Sequence, residues 1–194
     1  MLRLKKFILL SLFIASNLLS FEPFTDKELL PAIEQKHNTF AKKRASLLQE
    51  RLDMLRGKSD LQKLEGVNDF FNEVEYSSDI QISSKGDYLA TPWEFLCNNL
   101  SDSKDYVISK YFALKYLNVD HKKLFFTYVR STKFEEPHMV LTYFETPKSE
   151  PLILDNDNHK ISPASKRDDL TPIYNFNGDT LYKVGKNSEN SHKK

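Results

Sequence analysis

The sequence predicts an α+β fold in a single domain, with helices first and an antiparallel sheet packed against the last of them. Apolar residues recur at helical spacing from Leu29 to Leu117. Beyond His121 the pattern shortens to extended runs bounded by Pro, Asn or Gly. The length, 194 residues, suits one core and leaves little for a second.

The chain opens on Arg3, Lys5 and Lys6, followed by the apolar run Phe7 to Ile14 and then Ala15, Ser16 and Ser20. A basic start, a short apolar stretch and small residues near a cut describe a secretory signal peptide over residues 1–20. The run is shorter than the roughly 20 apolar residues of a permanent span. The expectation is export and cleavage near Ser20, leaving a soluble protein outside the cytoplasm with no stable membrane span; the alternative is an uncleaved anchor, because Leu18-Leu19 weakens the small-residue pattern around Ser20.

Thr25 is positioned to cap a first helix whose apolar face holds Leu29, Leu30, Ile33 and Phe40. From Ala41 to Leu55 the residues Leu47, Leu48, Leu52 and Leu55 recur at helical spacing, and Gly57 ends the run. Ser59-Asp60 starts another helix, carrying Leu61, Leu64, Val67, Phe70 and Phe71. The polar stretch Ser77 to Gly86 reads as a loop. Thr91 then caps a short helix with Pro92 at its first position, and Trp93 is expected against the central helix that follows. That central helix presents Val107, Ile108, Tyr111, Phe112, Leu114 and Leu117, and stops at Asn118. Strands are expected at Lys123 to Arg130, Met139 to Glu145, Pro151 to Asp155, Pro172 to Phe176 and Thr180 to Val184. The folded domain then covers residues 25–185, and residues 186–194 form a polar tail.

Composition excludes several classes. Lys plus Arg total 28 against 27 Asp plus Glu, a net charge of +1. No basic stripe interleaved with aromatics appears, so nucleic acid is not an expected partner. Cys97 is the only cysteine, which rules out an internal disulfide and a cysteine-based zinc site. Its neighbours Phe95 and Leu96 favour a buried, inert thiol. Lys42-Lys43-Arg44 and Lys122-Lys123 read as solvated faces. Asp155-Asn156-Asp157-Asn158 lacks the Gly and the closing Glu of an EF-hand and reads as a turn.

The chemistry-bearing segment is Asp102-Ser103-Lys104-Asp105-Tyr106, which opens the central helix. A nucleophile in a first helical turn gains from unpaired N–H groups and the positive end of the dipole. A His then serves as base, and an Asp fixes its tautomer. Ser103 at a helix start, His138 at a strand start and Asp155 at the end of the next strand occupy those stations in that order. The spacing is not specific by itself. Ser101 or Ser103 also reads as an N-cap, His138 as a surface histidine and Asp155 as a turn residue.

Further segments narrow the choice. Leu64-Glu65-Gly66-Val67-Asn68-Asp69-Phe70-Phe71-Asn72, Asp87 to Leu96, Ser101 to Leu114, His138-Met139-Val140-Leu141, Leu154-Asp155-Asn156 and Pro172 to Asn177 follow one another along the chain. In that order they resemble the bacterial transglutaminase-like cysteine peptidases, the LapG-type periplasmic proteases, from about Leu47 to Asn177. The resemblance implies an exported α+β protein with a papain-like, transglutaminase-like core. It also implies a calcium-dependent cysteine protease that trims large surface adhesins and is restrained by an inner-membrane receptor. Position by position, His138 matches the general base and Asp155 its orienting acid. Asp102 and Asp105 match two acids where the family binds calcium.

The departures fall on the chemistry. Ser103 stands where the family has its nucleophilic Cys, Lys104 replaces the adjacent Glu, and Ser101 replaces Gly. A hydroxyl is not pre-ionised as a thiol of pKa ~8.5 is, so it needs strong base assistance and an oxyanion hole. An ammonium beside a calcium site repels the ion, and a ligand has been lost; Lys104 lying over Asp102 or Asp105 would put an internal ion pair in its place. Three changes within four positions fit a retired site better than a single inactivating change. The sequence therefore reads as a catalytically silent family member without a bound cofactor, which binds a surface adhesin segment or the membrane receptor. The alternative is an active peptidase using Ser103 with His138 and Asp155. Two lesser readings are a closed groove with only the fold retained, and Cys97 as a displaced nucleophile. Transglutaminase activity would need the same missing thiol.

Overall fold

The computed structural model describes residues 24, 28–74, 92–97, 102–133, 137–177 and 181–183. The expected signal peptide, the loop at 77–86, the caps Thr25 and Thr91 and the tail at 186–194 lie outside the described residues.

Helix α1 spans Leu29–Lys36, and α2 spans Thr39–Leu55. Asn38 separates them: its backbone is extended and its side chain accepts a hydrogen bond from Ala41 N at 2.9 Å. A short polar residue that can satisfy an orphan N–H favours a new helix start over continuation. Phe40 therefore belongs to α2, not to the first helix, and is 76% exposed. The buried stripe of α2 is Ala41, Ala45, Leu48, Leu52 and Leu55. Leu47, expected in the core, is exposed, as are Leu61 and Phe112; each lies outside the arc of its helix that faces the domain. Gly57, at φ +70°, turns the chain out of α2.

Helix α3, Asp60–Asn72, starts in a capping box between Ser59 and Gln62. Its Gly66 lets α2 approach, because a Cβ there would meet Leu55 Cδ2 at 2.6 Å. Helix α4 spans Pro92–Cys97 and α5, the central helix, spans Ser103–Tyr116. Asn118, at φ 60°, follows the end of α5, where a left-handed residue closes a helix. Trp93 is half-buried and packs against the main core, which includes the buried face of α5. Its ring lies 4.8 Å from that of Phe24, which in turn lies 5.1 Å from Tyr116.

The second half forms a six-stranded sheet in the order β4-β3-β2-β1-β5-β6, antiparallel throughout. The strands are β1 Leu124–Ser131, β2 Pro137–Tyr143, β3 Leu152–Leu154, β4 Ser162–Pro163, β5 Leu170–Phe176 and β6 Leu181–Lys183. Five match the expected strands with ends shifted by a residue or two, and β4 was not expected. Its two residues are too few to carry a period of alternation. Alternation divides the sheet into two apolar faces. Met139, Leu141, Tyr143 and Leu154 join Tyr106, Val107 and Leu114 of α5 in the main core. Val129, Val140 and Ile153 form a smaller cluster with Ala164 and Leu170. Helices packed on one antiparallel sheet confirm the α+β class. Among the described residues no helix is long and apolar enough to cross a membrane.

Candidate active site

The first turn of α5 is organised by Asp102. Its extended backbone makes it the N-cap, and its Oδ1 accepts hydrogen bonds from Lys104 N at 2.8 Å and Asp105 N at 3.1 Å. The N-cap role expected of Ser103 thus falls to Asp102, whose anionic oxygen sits at the positive end of the helix; Ser101 lies outside the described residues. Ser103 occupies the first helical position and is buried. Its Oγ accepts a hydrogen bond from Met139 N at 3.3 Å, which fastens the start of α5 to the start of β2.

That contact sets Ser103 beside the residue preceding Met139, His138, which is also buried. The β2–β3 register pairs Leu141 with Leu154. Extended by one residue, it brings Asp155 opposite Val140, on the same pleat face as His138 and diagonal to it. His138 Nε2 and Asp155 Oδ1 are 2.7 Å apart, both side chains almost wholly buried. Sheet register and one helix-to-strand contact thus bring the three stations into one neighbourhood. Among the described residues no hydrogen bond joins Ser103 Oγ to His138; the one that Ser103 Oγ makes is with Met139 N.

Arg167 completes the site and was not anticipated from the sequence. It follows the 3-10 turn Ala164–Lys166 and is buried. Its Nη2 donates to Asp155 Oδ2 at 2.7 Å and to Asp169 Oδ2 at 2.8 Å, while Nε donates to Asp169 Oδ1 at 2.8 Å. In the sequence Lys166-Arg167-Asp168-Asp169 is only a mixed-charge run. Its meaning depends on the turn after β4 folding the guanidinium back towards the end of β3.

The electrostatics follow from these contacts. Burial alone pushes the Asp155 carboxyl up, but the hydrogen bond and charge of His138, together with the Arg167 hydrogen bond, hold it well below the usual carboxylate range. An ionised carboxylate is acceptor-only, so His138 Nε2 carries the proton and proton transfer by this imidazole would run through Nδ1. Hydrogen bonds to Asp169 and Asp155 raise Arg167 above its ordinary value.

The acids assigned to calcium by resemblance, Asp102 and Asp105, stand at the N-cap and in the first turn of α5. Lys104 Nζ lies 3.7 Å from Asp102 Oδ2, and Asp102 Oδ1 already accepts two helix N–H groups. Calcium takes six to eight oxygen ligands, and an ammonium in their midst removes one and repels the ion. The ion pair foreseen between Lys104 and the acids of its own turn is formed with Asp102.

Cys97 ends α4 within the main core. Burial pushes its thiol up, favouring the protonated form and not the thiolate that a displaced nucleophile would need. The Asp155 to Asn158 segment is a turn, with Asp155 Oδ1 accepting from Asp157 N at 3.1 Å and Asn158 Oδ1 from Lys160 N at 3.1 Å.

Comparison with known proteins bears on the family and the fold. The sequence pattern of the bacterial transglutaminase-like cysteine proteinases, BTLCP, matches residues 35–170. No curated protein matches the chain. Among solved structures, calcium-bound Legionella pneumophila LapG is 36% identical at a TM-score of 0.73, covering 84% of this chain and 91% of that one. EGTA-treated Legionella pneumophila LapG is also 36% identical, at a TM-score of 0.74, covering 86% of this chain and 90% of that one. Both the sequence pattern and the fold span the helices, the sheet and the three stations, and the chain belongs to the bacterial transglutaminase-like cysteine proteinase family.

Proposed function

We propose that this protein is an exported, periplasmic member of the family that no longer cuts, and that acts by binding a surface adhesin segment or an inner-membrane receptor. The observation that carries this reading is the state of Ser103. Its hydroxyl is engaged by Met139 N–H with no hydrogen bond to His138, in a site whose His138–Asp155 pair is otherwise assembled. A serine hydroxyl not hydrogen-bonded to its base lacks the activation that a thiolate at a helix terminus obtains from the dipole. The Lys104–Asp102 ion pair supports the same reading, since it fills the neighbourhood of the family's calcium acids with a side-chain cation.

The alternative, an active peptidase with Ser103 as nucleophile, draws on the proximity of Ser103 to the start of β2, because catalytic hydrogen bonds often tighten only in the substrate complex. One experiment separates the two. The N-terminal segment of a large surface adhesin is incubated with the wild-type chain, with Ser103→Ala, and with Ser103→Cys/Lys104→Glu, each with and without calcium. Binding is followed by calorimetry and cleavage by gel. The proposal expects binding without cleavage by the first two proteins and calcium-dependent cleavage by the third. Wild-type cleavage that Ser103→Ala abolishes would establish the alternative, and cleavage or binding by none of them would leave only the fold.

A further inference from the structure

Behind the His138–Asp155 pair lies a second buried polar assembly. Asn68 and Asn72 stand one helical turn apart on the same face of α3. Asn72 Nδ2 donates to the backbone oxygen of Asp155 at 2.7 Å, and Asn68 Nδ2 donates to that of His159 at 2.7 Å. The two amides therefore grip the acid-bearing turn at both ends. Lys110, seven residues after Ser103 on α5, donates from Nζ to Asn68 Oδ1 at 2.8 Å. All three side chains are buried, Asn68 and Lys110 completely.

We propose that Asn68, Asn72 and Lys110 are positioning residues for Asp155, a clamp that ties the acid-bearing turn to α3 and to the helix carrying Ser103. The inference rests on His138 and Asp155 being the base and orienting acid of the family site, but not on any turnover.

The physical argument is one of cost against geometry. Burying an amide or ammonium costs several kcal/mol unless its hydrogen bonds are met, and apolar residues of the same size would fill this space without that penalty. What apolar residues cannot do is fix a carbonyl oxygen. Asp155 has just left β3, so the sheet ladder no longer holds its backbone. Asn72 supplies the missing anchor on the residue whose carboxylate must stay within 2.7 Å of His138. Asn68 holds the far end of the turn, and Lys110 fixes the orientation of the Asn68 amide, leaving its NH₂ to face His159 O. Burial draws the Lys110 ammonium down to about 7, with Asp155 and Asp69 opposing that shift. The network also explains why a lysine sits on the buried face of α5.

The test reads the His138–Asp155 hydrogen bond directly. In the full chain, solvent exchange of the His138 Nε2 proton is measured by NMR, the resonance being assigned by its loss in His138→Gln. Asn72→Leu fills the same volume without the donor. The comparison variant is Thr127→Val, which removes one hydroxyl of an equally buried pair, Thr127 with Thr142 at 2.8 Å, within the sheet. The expected result is exchange faster by about tenfold in Asn72→Leu, the loss of one buried hydrogen bond expressed as a local opening equilibrium. Thr127→Val is expected to leave it unchanged at a similar loss of stability, and Asn72→Gln to recover part of the protection. If Asn72→Leu fails to fold, Asn68→Asp takes its place, keeping the acceptor for Lys110 while removing the donor to His159. Unchanged exchange in a folded Asn72→Leu or Asn68→Asp protein, or equal acceleration in Thr127→Val, would overturn the proposal.

Discussion

His138 Nε2 and Asp155 Oδ1 are held 2.7 Å apart in the interior, and the second oxygen of Asp155 is bound by Arg167. One carboxylate thus serves two cations or donors, and a third group, Asp169, balances the guanidinium. Removing Arg167 leaves Asp155 as a buried charge with one partner fewer. Arg167→Met is expected to lose about 3–5 kcal/mol in urea denaturation at pH 7. The pH dependence has a definite sign. The folded carboxyl lies below its unfolded value near 4, so its contribution is complete above about pH 4 and is lost as the pH falls below it. Asp155→Asn should therefore show a flatter decline of stability than the wild type between pH 4 and pH 2.5.

Lys110 gives a dependence at the other end of the scale. Its folded value near 7 lies below the ordinary 10.5, with burial the main cause. The unfolded chain binds more protons between those two values, so stability should rise as the pH increases from about 7 to about 10. Full expression of the shift is on the order of 5 kcal/mol. Lys110→Met should lack this rise, which chemical denaturation across that pH range would reveal.

Lys104 decides the response to calcium. The wild-type chain is expected to show no change of melting temperature on adding calcium or a chelator. Lys104→Glu exchanges the ammonium beside Asp102 for a carboxylate, and calcium is then expected to stabilise the protein. At a hundredfold excess over Kd the gain is about 2.7 kcal/mol. Calcium stabilisation of the wild type would contradict the role given to the Lys104–Asp102 ion pair.

Gly66 tests the helical layer. An added Cβ meets both terminal carbons of Leu55, at 2.6 Å and 2.8 Å. Gly66→Ala should therefore cost about 1 kcal/mol despite the higher helix propensity of Ala. In a Leu55→Ala background the clash is gone and the same change should become stabilising by up to about 1 kcal/mol. A double-mutant cycle on unfolding free energies gives the sign.

Much of the helical half is legible in the sequence, because its signals are local. Ser59, Gly57 and Asn118 act on neighbouring peptide groups, and their roles as caps and stops need no distant partner, whereas the break at Asn38 is hidden by apolar spacing that runs on to Phe40. Leu47, Leu61 and Phe112 show the limit. Each lies at helical spacing from core residues, yet each is exposed, because the width of the buried arc depends on what packs opposite.

For the site, the sequence determined the chemistry at each station: a hydroxyl in place of a thiol, a lysine beside two acids, and a His and an Asp farther along. Side-chain identity is a covalent fact that folding does not alter. The tertiary structure decided which of these groups meet. The β2–β3 register set His138 against Asp155, the α5–β2 contact turned the Ser103 hydroxyl to Met139 N–H, and the turn after β4 delivered Arg167. It also showed that Asp102, not Ser103, caps the central helix. These pairings join residues separated by 12 to 36 positions. Their free energy comes from burial and hydrogen bonding at long range, so no local pattern encodes them.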